Sequence, residues 1–246
     1  NRRSVVGLKG SFGQVLLGRD YTPMDTIGGG DYFQASDLVT GDDAMGSSLY
    51  TVRANGVHYA GEFGGVGVKA FVGYNEDKVT SAGVTTRRDR TEGYGVGVTY
   101  AGGPFTVGAA VQQFRSKDAV ATISKNTEYG VGATYDFTAA KLYAHYIAND
   151  FQTPNEKPLQ QFGLGVTAPF GAFTLGGQYA YNYYKAGTNS KAKGHDFVLQ
   201  GTYALSKRTD VYARAARTDS WKVKTSGATT YKTNTDSFAV GVRHRF

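Results

Sequence analysis

The chain has 246 residues, enough for one large β domain or two small ones, and carries 34 Gly, 18 Tyr and 14 Phe with a formal net charge of +7. It contains no cysteine, which excludes a disulfide framework and a thiolate metal site. It also lacks the run of about 18 apolar residues that a transmembrane helix needs, although strands that expose only alternate residues to lipid leave a chain this polar. Period-2 patterning and turn residues predict thirteen strands, near 3–10, 14–19, 51–60, 66–75, 92–101, 105–115, 127–137, 141–149, 160–168, 172–182, 195–205, 209–217 and 235–246. Most approach the roughly 9–11 residues with which a tilted strand crosses a bilayer.

The stretch Gly93–Tyr100 shows the scheme. Tyr94, Val96, Val98 and Tyr100 share one face, and Gly93, Gly95, Gly97 and Thr99 share the other. The strand near 127–137 repeats it with Tyr129, Val131, Ala133, Tyr135 and Phe137 against Glu128, Gly130, Gly132, Thr134 and Asp136. Aromatics stand at the ends of the apolar faces with Val, Leu and Ala between them, the order of aromatic girdles around a lipid-facing band. The last strand sets Phe238, Val240, Val242, His244 and Phe246 against Ser237, Ala239, Gly241, Arg243 and Arg245. A strand paired to its final aromatic residue suits a membrane barrel, because lipid offers an open backbone no hydrogen bonds.

The connections alternate in length. Short ones are Ser11–Gly13, Gly61–Gly65, Gly102–Pro104, Thr138–Ala140, Pro169–Gly171 and Ser206–Arg208; long ones are Asp20–Tyr50, Asn75–Thr91, Ser116–Asn126, Asp150–Leu159, Asn182–Gly194 and Thr218–Asn234. Tight turns at one end and polar loops at the other are the asymmetry of an outer-membrane barrel. The predicted fold class is therefore all-β, a transmembrane antiparallel β-barrel forming one domain over 1–246. Thirteen strands that start on the long-loop side break the even-number rule, so strands are expected to precede Asn1, roughly three in a barrel of about 16.

Several strings carry a resemblance. Asn1-Arg2-Arg3-Ser4-Val5-Val6-Gly7-Leu8 and Phe12-Gly13-Gln14-Val15-Leu16-Leu17-Gly18-Arg19-Asp20 open the chain; Val52-Arg53-Ala54-Asn55-Gly56-Val57-His58-Tyr59, Leu205-Ser206-Lys207-Arg208-Thr209 and Gly241-Val242-Arg243-His244-Arg245-Phe246 follow. Together they resemble general porins of β-proteobacteria, on the anion-selective Comamonas and Burkholderia side. The resemblance implies a homotrimer in the outer membrane, in contact with lipid and lipopolysaccharide. It also implies a water-filled channel through which small hydrophilic solutes diffuse passively, anions preferred, with no cofactor. An external loop, here 20–50, would fold into the lumen and narrow it.

A pore selects ions by the charges at its narrowest point. In the resembled porins arginines at the positions of Arg2, Arg3 and Arg53 line that constriction; strand parity favours Arg3 over Arg2. Arg19 opens the loop and either joins them or pairs with the loop acids Asp20, Asp25, Asp31 and Asp37. Lys9, Lys69 and Arg214 fall on small-residue faces and are expected to line the lumen. The basic balance carries no recognition helix, zinc spacing or RNA-binding motif, so no nucleic-acid partner is expected. A barrel enzyme, a protease or lipase, remains an alternative, with lumen-facing His145 the one general base that parity allows, as does a plugged structural or adhesive barrel. Neither a catalytic set nor a metal-ligand spacing is predicted.

Overall fold

The computed structural model describes residues 3–27, 51, 53–81, 84–117, 123–152, 157–186, 190–225 and 228–245. Among these, thirteen strands form one antiparallel sheet in which each pairs with its neighbours in sequence. They are β1 (Ser4–Gly10), β2 (Gly13–Tyr21), β3 (Arg53–Phe63), β4 (Val66–Ser81), β5 (Val84–Gly102), β6 (Phe105–Lys117), β7 (Ile123–Asp136), β8 (Lys141–Asp150), β9 (Lys157–Phe170), β10 (Phe173–Ala186), β11 (Ser190–Ala204), β12 (Thr209–Thr225) and β13 (Ala228–His244). All thirteen predicted strands are present. The turn-side ends agree closely because the turns dictate them. Gly64 and Gly65 both have positive φ between the paired Phe63 and Val66, the backbone of a two-residue hairpin turn that suits the strands' twist.

The long-loop ends differ from expectation. The stretch 75–91 is mostly strand, with β4 and β5 paired out to Ser81 and Val84. Likewise β10 and β11 pair out to Ala186 and Ser190, and β12 and β13 to Thr225 and Ala228. The apolar alternation stops where the lipid band ends, but backbone pairing has no reason to stop there. Reading loops from lost periodicity therefore shortened these strands.

The outer face is apolar and open. Val6 and Leu8 of β1 are 71% and 75% exposed, and Phe238, Val240 and Val242 of β13 are 72%, 68% and 68% exposed. Apolar exposure on this scale along consecutive strands has a counterpart in lipid and none in water. On the turn side, Phe63, Tyr100, Phe105, Tyr135, Phe170, Phe173 and Tyr203 are all exposed on this face; toward the other end Tyr74, Tyr94, Phe162 and Phe197 are. The small apolar core lies against the opposite, inner face: Met24 and Ile27 packed with Ala110, Ile147 and Leu159.

Candidate functional site

After β2 the chain does not cross directly to β3. It turns at Thr22 into a 3-10 turn, Pro23–Ile27, that lies on the inner face of β4 to β7. Pro23 supplies the fixed φ that starts such a turn. The Asp25 amide donates to the Thr22 carbonyl at 3.2 Å, and the Thr26 hydroxyl donates to the Pro23 carbonyl. Met24 and Ile27 point at the wall and are buried. The wall makes room with glycine. A Cβ on Gly132 would stand 2.6 Å from the Ile27 carbonyl oxygen, and one on Gly130 would stand 3.1 Å from the Met24 methyl. Glycines that alternate along β7 thus admit a second layer of backbone.

The chain returns at Thr51, held at the same place. The Thr51 amide donates to Glu128 Oε2 at 2.8 Å and its hydroxyl to Glu128 Oε1 at 3.0 Å. Gln112, opposite Glu128 in the β6–β7 register, donates from Nε2 to the Thr51 carbonyl at 3.0 Å and to Glu128. Its Oε1 accepts from the Met24 amide at 3.4 Å. The Thr22 hydroxyl also donates to the Thr51 carbonyl, tying the outgoing and returning limbs together.

Around these limbs stand most of the predicted charges. Arg3 grips Asp20 with both arms of its fork, Nε to Oδ1 at 2.8 Å and Nη2 to Oδ2 at 3.1 Å. Arg3 thus takes the first loop acid, because the β1–β2 register sets Ser4 across from Arg19 and leaves Arg3 beside Asp20. Arg53, across from Tyr21 in the β2–β3 register, lays its guanidinium 4.7 Å from that ring's centroid and reaches the Tyr21 hydroxyl at 3.3 Å. Arg19 and Arg53 border one recess with Thr51, Asn55, Thr91, Ser116 and Asn126.

Asp25 sits in the middle of this group. Burial raises its carboxyl above the ordinary carboxylate range; Lys69 and Arg53 pull it back down, and Asp20 pushes it up. Arg3 and Asp20 pair with each other, which leaves Arg53 and Lys69 as the cations that act on Asp25. Lys9 is apart from them, near the turn end of β1 opposite Gln14. Arg214 is also apart, buried on β12 between Gln200 and Ala239. Arg2, Asp31 and Asp37, like most of the 20–50 loop, lie outside the described residues.

Sequence reasoning did not find Gln112, Glu128 and Thr51. The available signal was Glu128 itself, an acid at the loop end of a face whose middle is glycine and threonine. His145 is buried on the inner face of β8; its Nε2 is 2.9 Å from Gln161 Oε1, Gln161 donates to Asn182 at 2.9 Å, and Asn182 to Asp196 at 2.8 Å. The ring therefore joins a row of side-chain hydrogen bonds.

A family model described as Gram-negative porin matches residues 1–222. The chain belongs to the Gram-negative porin family. Membership places it in the outer membrane as an integral β-barrel, in a family of channels and not among barrel enzymes. This porin is 30% identical over 238 residues to outer membrane porin protein 32 of Delftia acidovorans, an alignment covering 87% of this chain and 62% of that protein. It is 25% identical over 288 residues to an outer membrane porin protein of Bordetella pertussis, covering all of this chain and 72% of the relative. The porin thus spans less than two thirds of the Delftia protein's length. Among solved structures, the anion-selective porin from Comamonas acidovorans superposes with a TM-score of 0.75 at 25% identity, covering 100% of this chain and 78% of that one. The trimer form of OmpT from Vibrio cholerae shares the fold, with a TM-score of 0.71 at 21% identity over 99% of this chain and 80% of its own.

Proposed function

We propose that this porin forms a water-filled channel for passive diffusion of small hydrophilic solutes, with a preference for anions, and that the 20–50 loop narrows its lumen. The observation that carries the reading is the Pro23–Ile27 turn on the inner face with Arg53 and Lys69 beside Asp25. A cationic, partly desolvated constriction lowers the barrier for an anion and raises it for a cation, since an ion there keeps only part of its hydration and feels nearby charge strongly. The Asp25 carboxylate and the Arg3–Asp20 pair temper that field. The similar Comamonas porin is anion-selective, which supports the same sign.

We infer a homotrimer with lipid and lipopolysaccharide around it. Support comes from the outer face: exposed aromatics flank the band at its loop end from β4 to β11, whereas β1 and β2 present Val6, Leu8, Val15 and Leu17 without such an aromatic. A strand that meets protein rather than the headgroup layer has no need of an interfacial ring. OmpT of Vibrio cholerae, which shares the fold, has a trimer form.

The test is the zero-current potential of the whole porin in a planar bilayer under a KCl gradient. A chloride-preferring potential is expected. A cation preference would assign control to the loop carboxylates, and absence of conductance would overturn the channel reading.

A further inference from the structure

Gln112 and Glu128 face each other on β6 and β7, and each is only 1% exposed. Glu128 receives four donors: the Thr51 amide, the Thr51 hydroxyl, Gln112 Nε2 and, at 2.9 Å, Asn126 Nδ2. An ionised carboxylate accepts only, and this one meets donors on both oxygens. Two of the four come from Thr51, which belongs to the returning limb and not to the wall. Half of the carboxylate's donors thus come from the limb and half from the wall, so Glu128 fastens one to the other. Gln112 completes the arrangement by bonding both limbs at once, accepting from Met24 and donating to the Thr51 carbonyl. The amide can do so in one orientation only, with its NH₂ toward Glu128 and Thr51.

The geometry points to Glu128 and Gln112 as positioning residues for ion selection: a wall-mounted clamp that holds both limbs and so keeps Asp25 beside Lys69 and Arg53. This inference rests on the channel reading above. The clamp does not touch the permeating ion. It acts by fixing where the limb's backbone lies, and hence where its carboxylate stands among the cations. A limb held only by the apolar contacts of Met24 and Ile27 would retain its burial but lose its register, because apolar contact is not directional whereas charge-assisted hydrogen bonds are.

The experiment compares wild-type porin with Glu128→Ala, Thr51→Val and Thr51→Ser in planar bilayers, reading single-channel conductance and the chloride-to-potassium permeability ratio. Glu128→Ala is expected to raise conductance about twofold and move the permeability ratio about twofold toward unity. Thr51→Val, which leaves the wall intact and removes only the hydroxyl bond, is expected to move both in the same direction by less, and Thr51→Ser to restore the wild-type values. The temperature at which strand circular dichroism is lost separates clamp from scaffold. If the variants shift that temperature and leave conductance and permeability ratio at wild-type values, the clamp is overturned while the channel reading stands. Should Glu128→Ala fail to fold, Thr51→Val decides alone: a changed ratio supports the clamp and an unchanged one overturns it. A non-conducting wild type would remove the channel reading, and the clamp with it.

Discussion

The inner face has two halves of opposite chemistry. On β5 to β7 it carries Gly97, Gly108, Gly130 and Gly132, and the Pro23–Ile27 turn lies on them. On β8 to β11 it carries His145, Gln161, Asn182 and Asp196, which hydrogen-bond one another in a row. The first half is shaped around a second backbone layer; the second half links its own side chains from strand to strand. Glycines on β5 to β7 record an occupant, which Gln112 also binds, whereas the amides on β9 and β10 bond along the wall itself. Conduction should depend on the first half and barrel stability on the second.

The substitution expected to act most strongly on conduction is Gly132→Leu. Its Cβ would meet the Ile27 carbonyl oxygen at 2.6 Å, and that backbone atom cannot rotate away. The limb must move off the wall into the lumen, so single-channel conductance should fall about threefold, as overpacking against a fixed neighbour is relieved only by displacement. Unchanged conductance in a folded Gly132→Leu barrel would erase the distinction between the two halves.

Next in size is Arg53→Glu, which exchanges a cation for an anion beside Asp25. The anion-to-cation permeability ratio should fall about fivefold, corresponding to roughly 1 kcal/mol at an ion's distance from a partly hydrated charge. Reversal potentials under a KCl gradient measure it directly.

Asp25 gives a smaller effect with a defined pH dependence. Burial raises its carboxyl, so as pH falls it takes up a proton before an exposed acid does. Its negative charge then leaves the constriction while Arg53 and Lys69 keep theirs. Anion preference should therefore strengthen by about twofold as pH falls, with the step at higher pH than an exposed aspartate would give. Asp25→Asn should show the stronger preference at neutral pH and lose that step. A wild-type ratio that weakens toward acid would contradict the sign.

The smallest effect on conduction belongs to the other half. Asn182→Ala breaks the row between Gln161 and Asp196 and leaves buried polar atoms unmatched, which costs about 1–3 kcal/mol. Thermal unfolding should occur earlier, with conductance and permeability ratio unchanged. A shifted permeability ratio in this variant would show that both halves select ions.

Much of this architecture is legible in the chain. Tyr94, Val96, Val98 and Tyr100 against Gly93, Gly95, Gly97 and Thr99 determine a strand with a lipid face and a small-residue face, because side-chain direction alternates regardless of what lies beyond. Turn residues such as Gly64-Gly65 determine where hairpins close, because backbone with positive φ is a local property. The outer hairpin ends of β4–β5 and β12–β13 were not legible as strands, since pairing continues there without apolar alternation. The cationic residues Arg53 and Lys69 could be named from pattern and resemblance.

Which groups meet depends on long-range register. Arg3 is drawn to Asp20, 17 positions along the chain, by the β1–β2 register. Thr51 finds Glu128 at a separation of 77 positions, and Met24 finds Gln112 at 88. Such partners share no local period and no common turn. Their hydrogen bonds exist only once the sheet has set β6 and β7 side by side and the glycine face has left room for the limb. Alternation determined the wall of this porin; long-range register decided what is fastened to it and which charges an ion would meet.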